Sequence, residues 1–91
     1  MSFLIHERVV KDACQFIRDH LHLSLSVTDL AQHYGYSRKQ FTRIFNEVMG
    51  VFPSVYIKSI KVDQAKKWLK DSEMSINEIA CRLGYTYQNH F

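Results

Sequence analysis

The sequence predicts an all-α fold in which two helix-turn-helix subdomains are joined by a long linker helix. Three observations carry this expectation. Apolar residues recur at helical spacing along most of the chain. Only three glycines and one proline interrupt the 91 residues, each where a helix should begin or end. The stretch 26–45, SVTDLAQHYGYSRKQFTRIF, returns in the same grammar about fifty residues later as SINEIACRLGYTYQNHF from Ser75, an internal repeat.

An apolar share of 46% with 13% aromatic residues is enough to pack a small core. One domain over residues 1–91 is expected, with a first lobe at about 3–50, the linker helix at about 53–70 and a second, incomplete lobe at about 75–91. No apolar run approaches the ~20 residues of a membrane span, and the opening MSFLIHERVVKD lacks the order of a signal peptide. A cytoplasmic protein without a membrane partner is the expectation. Cys14 and Cys81 each fall inside an apolar helical pattern, which predicts two buried free thiols and no disulfide.

Residues 4–21 carry Ile5, Val9, Ala13, Ile17 and Leu21 at four-residue steps with charges between them, the pattern of an amphipathic bracing helix. His20 and His22, two apart, would leave different faces of it, so no metal site is expected. Ser26 can cap the next helix, with Asp29 three residues on, and Leu30, Ala31 and Tyr34 form its buried stripe. Gly35 can take positive φ and turn the chain, after which Ser37 caps again with Gln40 at the third position.

The third helix, from Arg38 to Met49, has Phe41, Ile44, Phe45, Val48 and Met49 on its core face. Opposite them Lys39, Thr42, Arg43 and Asn46 stand at i, i+3, i+4 and i+7, one stripe of cations and hydrogen-bonding groups. Arg can pair bidentately with guanine and Asn with adenine, so this stripe suits a major groove. Gly50 ends the helix, and Pro53 begins a linker helix on which Tyr56, Ile60, Val62, Ala65, Trp68 and Leu69 spread over more than one face. Lys58, Lys61, Lys66 and Lys67 take what remains of its surface. Such a helix, about 17 residues at ~1.5 Å each, is a rod of roughly 26 Å, suited to holding two reading units near the ~34 Å repeat of the major groove.

Ser75 caps the next helix with Glu78 three residues on; Ile79, Ala80 and Leu83 repeat the stripe of Leu30, Ala31 and Tyr34. Gly84, Tyr85 and Thr86 match Gly35, Tyr36 and Ser37, and Phe91 matches Phe41 with one extra residue in the turn. Gln88, Asn89 and His90 then correspond to Arg38, Lys39 and Gln40, a second reader richer in amides than in cations. Phe91 lies only about one turn into that helix, so the chain is expected to be a fragment cut within it.

Net charge is +3, but between Gly35 and Lys70 eight basic residues face two acidic ones, while the remainder is net acidic. Such concentration of charge is the footprint expected where phosphates are met. No catalytic constellation is legible: the five histidines do not pair with Cys, Ser or carboxylates at an interpretable spacing, and no Gly-rich loop could cradle a phosphate. Neither an enzyme nor a cofactor is expected.

Taken in order, these residues resemble the DNA-binding domain of AraC/XylS-type bacterial transcription regulators. The resemblance rests on Asp29-Leu30-Ala31, Gly35-Tyr36-Ser37, Phe41, Arg43-Ile44-Phe45, Gly50, Pro53, Tyr56, Ala65 and Leu69, then Ile76, Glu78-Ile79-Ala80, Gly84-Tyr85 and Phe91. It implies that the third and sixth helices enter adjacent major-groove segments of double-stranded DNA. By position it assigns base contacts to Lys39, Thr42, Arg43, Gln88 and Asn89, with Ser37, Arg38, Gln40, Asn46 and His90 at the backbone or in support. Lys61 stands where such domains often carry Arg. The resemblance also implies a separate sensing, dimerisation or receiver domain in the parent protein, and RNA polymerase as a further partner. The alternative reading is a helical protein-interaction module that uses the same basic surface to meet an acidic partner without specific DNA readout.

Overall fold

The structure, a computed structural model, describes residues 2–84. Among them run five helices and no strand: α1 (Ser2–Asp19), α2 (Val27–His33), α3 (Arg38–Met49), α4 (Pro53–Asp71) and α5 (Ile76–Arg82). The all-α class is therefore as the sequence predicts. Tyr85, Thr86, Gln88, Asn89, His90 and Phe91, on which the second reader was placed, lie outside the described residues.

Each short helix starts at a serine for the same reason. Ser26 Oγ accepts from the Asp29 N–H at 3.3 Å, Ser37 Oγ from the Gln40 N–H at 3.2 Å and Ser75 Oγ from the Glu78 N–H at 3.1 Å. These bonds satisfy donors that have no partner inside the first turn of a helix. The linker α4 instead begins on Pro53, whose missing N–H costs nothing at that position.

The main core joins the first three helices to the start of α4. Val10, Ala13, Cys14 and Ile17 of α1 meet Val27, Leu30 and Ala31 of α2, Phe41, Ile44 and Phe45 of α3, and Tyr56 and Ile57 of α4. A second, smaller core gathers Ala65 of α4 with Ile79 and Leu83, and Trp68 and Met74 pack on it. Leu21 packs against both cores. The repeat is deeper than the sequence reading saw: Val10, Ala13, Cys14 and Ile17 recur as Val62, Ala65, Lys66 and Leu69, so α4 braces the second unit as α1 braces the first. With Ile76 and Ile79 these residues, Lys66 included, line one groove of about 240 Å³.

Several sequence expectations are corrected. Ile5 is 59% exposed rather than part of the buried stripe of α1. Four residues advance a helix by about 400°, so a strict four-step series drifts about 40° per step and cannot stay on one face. The stripe that is buried is Val10, Ala13, Cys14 and Ile17, at i, i+3, i+4 and i+7. Met49 and Leu69 are exposed near the ends of their helices, Leu69 on the wall of that groove. Cys14 is a buried free thiol as expected, but Cys81 is exposed, on the side of α5 opposite Ile79 and Leu83. Tyr34 is only partly buried; its hydroxyl donates to Asp12 Oδ2 at 2.6 Å, tying α2 to α1. Burial and that carboxylate both raise its pKa.

The largest correction concerns Lys61, which is buried at 5% exposure instead of sharing the solvated lysine face. Its Nζ donates to the carbonyl oxygens of Leu23 at 2.8 Å and Leu83 at 2.7 Å. Burial pushes its pKa below the ordinary lysine value. Lys58, Lys66, Lys67 and Lys70 are exposed, as expected.

Phe41 is fully buried at the centre of the main core. Phe41→Ala should therefore cost about 3–5 kcal/mol, enough to leave so small a fold largely unfolded. Urea denaturation followed by circular dichroism checks this, against a surface control such as Lys67→Ala that should leave the midpoint unchanged.

Candidate nucleic-acid interface

The turn between α2 and α3 is closed by backbone bonds. Gly35 has φ +79°, its N–H donates to Gln32 O at 3.0 Å, and the Tyr36 N–H reaches back to Ala31 O at 2.8 Å. This pair of bonds ends α2 on its own carbonyls and redirects the chain at once. At the start of α3 the capping box is complete: Ser37 N–H donates to Gln40 Oε1, and Gln40 N–H to Ser37 Oγ, both at 3.2 Å. The angle between the two helices is thus set by backbone and cap together.

Burial then fixes the rotation of α3 about its axis. Phe41, Ile44 and Phe45 are at most 2% exposed, packed against α1 and α2. Phe41 stacks on Tyr34 and tilts against Phe45, which in turn meets Tyr56. With that face committed, Lys39, Arg43 and Asn46 project to solvent together on the opposite side. The structure thus gathers three of the four stripe residues on one exposed face. Thr42 is partly buried beside them, lining a cleft with Val27, Arg38, Phe52, Pro53 and Ser54 where α3 meets the start of α4.

The flanking residues have structural partners of their own. Arg38 Nη1 donates to Thr28 Oγ1 at 3.3 Å, linking the starts of α3 and α2. Ser37 and Gln40 are committed to the cap. Glu47, the one acid of α3, lies off the stripe with its carboxylate 3.7 Å from His6 Nδ1 of α1. The exposed stripe carries two cations, and the one acid next to it on α3, Glu47 at i+4 from Arg43, has its carboxylate near His6 of α1. No group of three or more His, Cys, Asp or Glu residues able to hold a metal occurs among the described residues. Gln88, Asn89 and His90 lie outside the described residues.

Sequence reasoning missed Thr28, the partner of Arg38, and the buried state of Lys61. A signal for the second was present: Pro53, Ile57, Lys61 and Ala65, all buried, stand at four-residue steps with a cation in the series.

The arrangement agrees with known proteins. A family model described as a helix-turn-helix domain matches residues 30–91. The fold superposes at a TM-score of 0.76 on a Chromobacterium violaceum transcriptional regulator described as an AraC-type DNA-binding-domain protein, 26% identical, over 87% of this chain and 70% of that one. The chain belongs to the AraC-type helix-turn-helix family. Another AraC-type likeness is the DNA-binding domain of AdpA, a global transcriptional factor solved with a target DNA, at TM-score 0.78 and 30% identity over 84% of this chain and 68% of that one. In sequence, the chain is 31% identical over 81 residues to the Bacillus subtilis HTH-type transcriptional regulator YbfI, matching 89% of itself and 29% of that relative. The chain thus spans under a third of that relative's length. The family is one of DNA-binding transcription-regulator domains rather than of enzymes. Among the described residues no helix is long and apolar enough to cross a membrane.

The AraC-type turn makes one cap decisive. Ser37→Ala should destabilise the fold by about 1 kcal/mol through the lost cap, while Ser37→Asp, which keeps an acceptor, should retain most of it. Chemical denaturation of both variants reads this directly.

Proposed function

We propose that this chain binds double-stranded DNA sequence-specifically as the reader portion of a bacterial transcription regulator, with α3 in a major groove. The observation that carries the reading is the joint exposure of Lys39, Arg43 and Asn46 on the face of α3 opposite its buried phenylalanines. A groove ~12 Å wide admits one helix, and residues at i, i+4 and i+7 on its outer face reach successive base edges. Arg43 is assigned bidentate pairing to guanine, Lys39 and Thr42 contacts to bases, and Asn46 a supporting role. Arg38, held at Thr28, lies toward the phosphate backbone, beside the capped start of α3.

The likeness to the AdpA domain solved on DNA supports this use of the fold. Gln88 and Asn89, with His90 beside them, are proposed as the second reader on the resemblance and the internal repeat. The two-lobe division at about residues 3–50, 53–70 and 75–91 follows the same repeat. The 29% share of YbfI supports a longer parent protein; that it adds a sensing, dimerisation or receiver domain, acts in the cytoplasm and meets RNA polymerase is proposed on the resemblance alone. The competing reading, an acidic protein partner on the same basic surface, requires binding that is indifferent to DNA sequence.

Two measurements test the proposal. Duplex affinity should fall by orders of magnitude over a several-fold rise in salt, in proportion to the phosphates contacted. Arg43→Ala should cost about 1–3 kcal/mol on a preferred duplex and relax preference at one position, whereas Lys58→Ala should leave that preference intact. Fluorescence anisotropy with preferred and scrambled duplexes reads both. Equal affinity of Arg43→Ala, Lys39→Ala and the unmodified chain for every duplex would overturn the assignment of α3.

A further inference from the structure

Lys61 is the buried cation of the described residues, and its placement joins parts of the fold that the chain itself does not. One carbonyl it bonds, Leu23 O, belongs to the connection between α1 and α2; the other, Leu83 O, sits at the end of α5. Burying an ammonium is unfavourable unless its donors are matched, so these two carbonyls are held to the lysine and through it to each other. The junction is tight on the other side as well. A Cβ placed at Gly84 would lie 2.6 Å from the Leu23 carbonyl carbon and 2.8 Å from both the His22 and Leu23 oxygens. All three are backbone atoms, which cannot swing aside as the end of a side chain can. Gly84 also has φ +81°, a conformation that side chains disfavour. Leu21, packed against both cores, completes the contact.

We propose that Lys61 is a positioning residue: by gripping Leu23 O and Leu83 O with one ammonium, it holds α5 and the turn after it at one orientation to the first lobe. Without the grip only the packing of Leu21 and the close approach of Gly84 to Leu23 would tie α5 to the first lobe, and its orientation would spread. With it, α3 and α5 move as one body. The consequence for DNA, a fixed phase between two readers, rests on the reading given under Proposed function; the grip itself does not.

The test needs no DNA, so its failure and the failure of DNA binding are separate results. Spin labels on the native, exposed Cys81 and on Glu47→Cys of α3, in a Cys14→Ala background, report the distance between α5 and α3 by pulsed electron paramagnetic resonance. With Lys61 intact a single narrow distribution is expected. Lys61→Met should widen it at least twofold while hydrogen exchange in α1 to α3 stays as in the parent, and Lys61→Arg should restore the narrow form. Gly84→Ala, which leaves the lysine in place but forces the junction open, should shift the mean distance. A broad distribution with Lys61 intact, or a Lys61→Met distribution as narrow as the parent's, overturns the proposal. Should Lys61→Met lose α5 altogether, Gly84→Ala decides: a shifted mean supports the grip, an unmoved one overturns it.

Discussion

The burial of Phe41, Ile44 and Phe45 is the constraint on which the rest depends. A helix of 12 residues has little freedom once one face is fixed, because its other side chains follow at about 100° per residue. Committing three large apolar groups to α1 and α2 therefore decides which residues meet solvent, and Lys39, Arg43 and Asn46 do so as a set. The core and the candidate interface are two sides of one rotation. A change that loosened the core would turn this exposed face before it removed any side chain from it.

Backbone polar groups impose the second condition. Short helices expose a large share of unpaired N–H and C=O groups, and here they are matched by serine caps, glycine turns and one buried lysine. The helix-turn-helix is thus held by local bonds on both sides of Gly35 as well as by packing. Its counterpart at Gly84 adds a feature the first turn lacks, because a Cβ at Gly35 would meet open space whereas one at Gly84 would strike the Leu23 backbone. The same glycine turn thus faces open space at Gly35 and the backbone of the α1–α2 connection at Gly84.

Much of this was legible in the chain itself. The serine caps, the glycine turns, the core face of α3 and its polar stripe follow from side-chain chemistry and a 3.6-residue period, and the structure has them where the sequence places them except for Met49, which is exposed, and Thr42, which is partly buried. What the sequence hid was long-range. The series Pro53, Ile57, Lys61 and Ala65 only hints that Lys61 points inward, since a lysine is ordinarily solvated and the groups it bonds, the carbonyls of Leu23 and Leu83, are distant in sequence. Ile5 was misread because a four-residue series looks like a face but spirals around the helix. Cys81 is exposed because it stands two residues from both Ile79 and Leu83, on the far side of α5 from the narrow face that this seven-residue helix buries. The base contacts assigned to Lys39, Thr42 and Arg43 rest on side-chain chemistry and resemblance.

The central claim is that the exposed face of α3 reads sequence and does more than attract phosphate. Selection of bound duplexes from a random library, at a salt concentration that suppresses non-specific binding, tests it most directly. The account predicts enrichment of one short motif, of a length that a single major-groove segment can present, with a strongly preferred guanine at one position. Recovery of a pool as random as the input, from protein shown to be folded, would contradict it.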